Sequence, residues 1–320
     1  MPRQMHRLDA GPGTAVDVFS RDARPALTVD PGDRLVVRSL DASGHLAPQR
    51  TPGERRPRLL EDAKGHCLTG PVAVRGALPG SALSVHVAAL RPDGWGWTAA
   101  GSADNALTRR LGVAGGPASW LLWDIDVAAG TATSDRGLRV PLAPFLGVLG
   151  VPPDEAGEHS TIPPRASSGG NLDCRELVAG STLYLPVTVP GALLCVGDGH
   201  AAQGDGEVGG TAVECAMTTD LVLDLVPDPP LSTVHAVTPR GRITFGFAPD
   251  LDTATGDALD AMLTWLQLLH DLDRRTALAH ASAAVHLRVT QVANQTWGVH
   301  ALLPHDALVP RARLARPHPP

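Results

Sequence analysis

The sequence predicts a mostly β fold, an antiparallel sandwich or barrel with an α+β C-terminal portion. Three observations lead there. Glycine (34) and proline (29) supply about a fifth of the 320 residues, more turn formers than a helix bundle uses. The first two thirds of the chain carry short β-branched or alternating runs bounded by Gly, Pro or Asp. One pattern also recurs: Pro-Gly, two residues, Leu, one residue, Val.

The runs are Leu35-Val36-Val37-Arg38, Val72-Ala73-Val74-Arg75, Leu83 to Val87, Thr182 to Leu185 and Leu221-Val222-Leu223. The recurring unit begins at Pro31-Gly32, Pro79-Gly80 and Pro190-Gly191. Pro-Gly fits the centre of a type II turn, where proline presets φ and glycine supplies φ > 0. Each copy is then a turn feeding a strand whose alternate residues are apolar. The unequal spacing between copies excludes a solenoid.

The tail changes period. Leu259, Met262, Leu263, Leu266 and Leu269 recur every three or four residues, one face of a helix over 257–271, with Thr255 or Asp257 as N-cap. A second helix is expected over 274–284, then strands at Leu287 to Val292 and Trp297 to Leu303. Prolines in Val226-Pro227-Asp228-Pro229-Pro230 interrupt any central strand, so a boundary falls there. This divides a β-rich body, 1–228, from an α+β portion, 229–320, packed on it. The Arg/Pro-rich stretch 310–320 reads as a loose end.

Composition narrows the function classes. A formal net charge of −6 gives no basic footprint for nucleic acid or an anionic membrane. The first residues lack a secretory apolar core, and no run approaches the ~18 apolar residues of a membrane span. Cys67, Cys174, Cys195 and Cys215 form no C-x-x-C pair and read as reduced thiols, consistent with a cytoplasmic protein. Cys195 alternates with Leu194 and Val196 and is expected to pack as a small apolar residue or face away from a pocket.

The densest polar cluster is Gly197-Asp198-Gly199-His200-Ala201-Ala202-Gln203-Gly204-Asp205-Gly206-Glu207. If Leu194 and Val196 point to one face, a continuing strand places Asp198 and His200 on it too. Asp205 and Glu207 repeat the two-residue spacing. Oxygen donors beside an imidazole suit Zn²⁺ or a similar divalent ion. Solvated Asp-Gly turns would account for the same carboxylates. An EF-hand fits worse, because its ligand spacing and flanking helices are missing.

The run Gly169-Gly170-Asn171-Leu172-Asp173, then Leu177 to Val187, Val189-Pro190-Gly191-Ala192 and Gly197 to Glu207, strongly resembles the acetamidase/formamidase family. Supporting pieces are His66-Cys67-Leu68-Thr69-Gly70-Pro71, Trp123-Asp124-Ile125-Asp126, Pro144-Phe145-Leu146-Gly147-Val148 and Arg288-Val289-Thr290-Gln291-Val292 with Gly298-Val299-His300. The likeness runs from about Asp41 to Leu303. It implies a jelly-roll-like β-sandwich with an added α+β portion, a homodimer or larger assembly, and hydrolysis of short linear amides to carboxylate and ammonia. It also implies a divalent metal, Zn²⁺ most often and Ca²⁺ as a possible second ion. Carried over by residue, the metal centre maps onto His66, Asp198, His200 and Glu207, with Asn171 and Asp173 as a second polar set and Asp173 counted among the ligands; spacing leaves open which carboxylate is ligand and which is base. Glu207 is the candidate for proton transfer, Asn171 for holding the amide, and Asp205 lies nearby. His286 stands where many relatives have aspartate.

Other amide-hydrolysing schemes match less well. Lys64 is the only lysine and lacks the Gly-Ser context of a Ser-Ser-Lys site, and Ser181 is not in a G-x-S-x-G elbow. A Cys nucleophile at Cys174 or Cys195 is a weaker match. His86 and His270 read as structural, His300 more often so than not, and Asp124 and Asp126 as turn caps or metal contacts. The alternative from another class is a metal-stabilised sandwich that binds or assembles without catalysis.

Overall fold

The computed structural model describes residues 3–101 and 103–308; the expected loose end at 310–320 lies outside them. The expected strands form as segments of longer ones: Asp33–Ser39, Leu68–Val74, Ala82–Pro92, Thr182–Pro186 and Met217–Val226. All three Pro-Gly turns have glycine at positive φ, +86° at Gly32, +95° at Gly80 and +83° at Gly191. Each feeds its strand as the turn chemistry requires.

Two large sheets make up the body. In the nine-stranded sheet the order is Met5–Asp9, Asp33–Ser39, Met217–Val226, Ala82–Pro92, Thr182–Pro186, His235–Thr238, Gly241–Ala248, Trp297–Pro304 and His286–Gln291. Strands on both sides of the proline cluster at 227–230 therefore share one sheet. The second sheet has eleven strands and is centred on Leu194–His200. That strand pairs antiparallel with Phe145–Gly150, Glu214–Cys215 and Leu68–Val74. Phe145–Gly150 in turn pairs with Gly169–Asn171. The segments that hold His66, Gly147, Asn171 and Asp198 thus lie on or beside one strand.

Alternating residues of both sheets meet in a single core. Leu35, Leu83, Val85, Leu221 and Leu223 of the first sheet pack with Leu146, Leu149, Leu194 and Val196 of the second. Burial of that apolar area holds the layers together. A separate small cluster joins Cys195 to Phe19, Leu68 and Val148, so Cys195 does pack as a small apolar residue. All four cysteines are buried and free.

The tail helices cover the far end of the nine-stranded sheet. The long one spans Leu251–His270 and is capped by Asp250, whose carboxylate accepts from the N–H of Thr253 at 2.8 Å. The cap expected at Thr255 or Asp257 is thus corrected. The first turns bury Ala254 and Ala258 rather than large residues, so the apolar period alone starts the helix too late. These alanines lie against Gly246, where an added Cβ would come within 2.7 Å of the Ala258 nitrogen. The helix Arg274–Ala284 matches its expected range and is capped by Asp273. No helix of the described residues is long and apolar enough to cross a membrane.

Candidate metal centre and active site

The central strand Leu194–His200 is buried along its whole length and ends in the polar pair the sequence picked out. Asp198 adopts φ +59°, a left-handed conformation that L side chains rarely take within a strand. Its Oδ1 lies 3.3 Å from His200 Nε2. The other flank of Nε2 faces Glu214, 3.2 Å away at Oε1. On the opposite ring edge, Nδ1 of His200 donates to Oε1 of Gln203 at 2.9 Å, since an amide oxygen only accepts. Gln203 is itself fixed by donating from Nε2 to the backbone oxygen of Asp173 at 2.7 Å. The amide thus orients the imidazole and leaves Nε2 facing the carboxylates, the arrangement a metal-ligating histidine uses.

The cluster gathers residues from four places in the chain. Ligand atoms of Asp173, Asp198 and His200 all lie within 4.8 Å of one another, as do those of His200, Glu207 and Glu214. None of these five residues is more than 6% exposed. The Gly-Gly-Asn segment supplies Asn171 and Asp173, the latter at φ +47°. The Gly197–Glu207 segment supplies Asp198, His200 and Glu207, the last at φ +43°. Gly147 keeps the space open: a Cβ there would fall 2.7 Å from Oδ1 of Asp173 and still closer to Oδ2 of Asp198.

Burial dominates the electrostatics. It pushes the Asp173 carboxyl up to about 8, with the Asp198 charge adding to the rise. Burial and the Asp198 charge likewise raise Glu214 to about 7. Glu207 is raised well above the carboxylate range by burial and by Asp173. Burial would also raise Asp198, but the His200 and His66 imidazoles overcome it and hold Asp198 below its ordinary value. Burial opposes the charge on His200, yet Glu214 and Asp198 raise it well above the usual imidazole range.

His66 faces the same group, close enough for its charge to be felt by Asp198 and His200, while burial lowers its own proton affinity. Its backbone N–H donates to Oγ1 of Thr161 at 2.8 Å, and Nδ1 lies 3.1 Å from the same oxygen. Asp205 is placed differently from its spacing partner. Gly206 at φ +95° and Glu207 at φ +43° break the alternation. Glu207 turns into the cluster, while Asp205 is exposed and sits 3.2 Å from Nη1 of Arg288. Arg288 also pairs with Glu176 at 2.8 Å.

Glu214 is the site residue that the sequence reading missed. It lies in Ala212-Val213-Glu214-Cys215-Ala216-Met217, a lone carboxylate in an otherwise apolar run, and all six residues are buried. That isolation was the available signal. The remaining candidates lie outside the cluster. His86 bonds Thr182 Oγ1 at 3.0 Å, His300 bonds Thr290 Oγ1 at 2.9 Å, and His286, Asp124 and Asp126 are exposed on their strands.

The donors fit a divalent cation. Both carboxylate oxygens of Asp173, Oε2 of Glu214 and Oδ1 of Asn171 are buried with no hydrogen-bond partner among the described residues. Several buried acceptors without donors are costly unless a cation sits among them. Carboxylate oxygen with imidazole nitrogen is a donor set divalent ions accept.

The comparisons with known proteins agree with this geometry. The acetamidase of Bacillus halodurans superposes with a TM-score of 0.83 at 27% identity, over 93% of this chain and 97% of that one. The acetamidase of Yersinia enterocolitica gives 0.82 at 27% identity, over 95% and 93%. The acetamidase of Mycolicibacterium smegmatis is 27% identical over 266 residues, and the chain spans 64% of that enzyme's length. The model of the acetamidase/formamidase family matches residues 13–160 and 154–236. That range takes in His66, Gly147, the Gly-Gly-Asn segment and every member of the buried cluster, and the chain belongs to the acetamidase/formamidase family of amidohydrolases.

Proposed function

We propose that this protein hydrolyses short linear amides to a carboxylate and ammonia, using a divalent ion, zinc most readily, held by Asp173, Asp198 and His200 and approached by His66. The observation that carries this reading is the meeting of buried, unpartnered carboxylate oxygens with an imidazole whose Nε2 is turned toward them by Gln203. An ion bound there supplies a Lewis acid and makes water a better nucleophile near neutral pH.

The chain's own groups do the rest. An amide resists attack because resonance quenches its carbonyl, and it leaves badly unless its nitrogen gains a proton. Glu207 takes the proton of the attacking water on a carboxylate oxygen and returns it to the departing nitrogen. Its raised proton affinity, due to burial and Asp173, suits a group that must hold a proton between the two steps. Oδ1 of Asn171, buried without a partner, accepts an N–H of the substrate amide and orients it. Enclosure of the cluster keeps bulk water from competing for these contacts. The balance is one water and one amide consumed, one carboxylate and one ammonium formed.

The test is ammonia release from formamide, acetamide, propionamide and small lactams by metal-replete protein, with and without chelator. Chelator-sensitive release from at least one linear amide is expected. No ammonia from any of them, with metal content verified, would leave a metal-stabilised binding module in place of an enzyme.

A further inference from the structure

Glu207 adopts φ +43°, directly after Gly206 at φ +95°. Left-handed backbone at a glutamate is strained and persists only where its surroundings hold it. Here the hold comes from the edge strand His286–Gln291. The N–H of Gly206 donates to the Thr290 carbonyl at 3.1 Å, and the Gly206 carbonyl accepts from the N–H of Val292 at 2.8 Å. Gly206 thus pairs in parallel with Gln291, a single rung of a ladder. The strand is itself fixed by antiparallel register with Trp297–Pro304 and by the contact of Thr290 Oγ1 with His300 Nδ1 at 2.9 Å.

One guanidinium completes the attachment. Nη1 of Arg288 donates to Oε1 of Glu176 at 2.8 Å and lies 3.2 Å from Oδ2 of Asp205. Asp205 stands two residues before Glu207, and Glu176 three residues after Asp173. A single nitrogen therefore joins the segment that carries Glu207 to the segment that carries Asp173. Glu176 also accepts from Nη1 of Arg240 at 3.0 Å. An ion pair between two solvated side chains would fix little. This one is anchored at a carboxylate whose side chain is 5% exposed, by a guanidinium side chain that is 30% exposed.

We propose that Arg288 is a positioning residue for amide hydrolysis, clamping Asp205 and with it the Gly206–Glu207 backbone so that the Glu207 carboxyl stays in register with Asp173. The inference rests on the reading of Glu207 as the proton carrier. Arg288 acts through the backbone, because its partners Glu176 and Asp205 are not members of the buried cluster. Without the clamp, the segment keeps its two backbone bonds to the strand and can pivot at Gly204 and Gly206. A proton carrier displaced by about 1 Å transfers on the order of 10²-fold more slowly. Substrate is bound by other groups, so the loss falls on kcat and leaves KM in place.

The experiment is steady-state ammonia release by metal-replete full-length variants, with metal content and hydrogen exchange measured on each. Arg288→Gln is expected to lower kcat ~10–100-fold with KM within about twofold of wild type and metal content unchanged. Asp205→Asn cuts the same contact from its exposed end, leaves Glu176 paired, and should lower kcat by a similar factor. Arg288→Lys should recover most of the loss, since both contacts use one nitrogen and an ammonium supplies it. Arg240→Gln, which removes only the other partner of Glu176, should stay near wild type. In a Glu207→Gln background, Arg288→Gln should cost less than about 3-fold, because nothing is left for it to place. Exchange of the Gly206 amide, which needs no turnover, should speed up ~10-fold in Arg288→Gln. Unchanged kcat or unchanged Gly206 exchange overturns the clamp, as do full additivity with Glu207→Gln or an equal loss in Arg240→Gln. Those failures in an active enzyme defeat the clamp alone, whereas wild-type protein that releases no ammonia overturns the amidase reading and this role together.

Discussion

His200 and Glu214 are register partners on adjacent strands, and Nε2 of the histidine stands 3.2 Å from Oε1 of the glutamate. Cross-strand pairing therefore builds one side of the buried carboxylate–histidine cluster. Glu214→Gln keeps the shape and removes the charge. Ion affinity should fall ~10–100-fold, as for other groups that tune a metal site. Metal retained after dialysis against a graded chelator series measures it, and wild-type retention would exclude Glu214 from the centre.

Glu207→Gln probes the proton transfer alone. Metal content should stay near that of wild type while turnover drops ~10²–10⁴-fold, the usual worth of a positioned acid–base group. Near-normal turnover would make Glu207 a structural neighbour.

Gly147→Ala tests whether the cluster needs its open space. The new methyl would press on Asp173 and Asp198. Displacing ligands by about 1 Å is expected to cost on the order of 10²-fold in activity with little change in circular dichroism. Full activity in this variant would show that the two carboxylates need not hold their positions.

Removing the ion should expose the cost of burying these acids. Burial holds Asp173 protonated up to about 8 and Glu214 up to about 7, against ordinary values of 3.8 and 4.5. Across that window the folded, metal-free protein binds more protons than the unfolded chain. Its stability is therefore present at low pH and is lost as pH rises from about 4 toward about 8. Melting curves in chelator should fall in Tm between pH 5 and 8, whereas metal-loaded protein should show a flatter profile. Parallel profiles would count against a bound cation at this cluster.

Gly246→Ala addresses stability instead of chemistry. A Cβ there would collide with the backbone of Ala254 and Ala258, pushing the long helix off the sheet. Overpacking of this kind costs ~1–3 kcal/mol. The urea midpoint should fall, with activity per folded molecule unchanged, because the helix packs at the end of the sheet away from the cluster residues.

Much of this molecule was legible before folding. Alternation and Pro-Gly turns located the main strands because pleat and φ limits act within a few residues. The quoted segments carried Asp173, Asp198, His200 and Glu207, and the 3.6-residue period marked the long helix. Local rules failed where backbone or partner choice overrode spacing. Left-handed residues at Gly206 and Glu207 turned one acid inward and left Asp205 to Arg288. The cap at Asp250 lay beyond the apolar period, since alanines packed on Gly246 leave no large-residue signature. Glu214 joined the cluster through register with a strand reached after a loop. Such meetings depend on which distant groups are brought into contact and dried, and only the packed chain decides that.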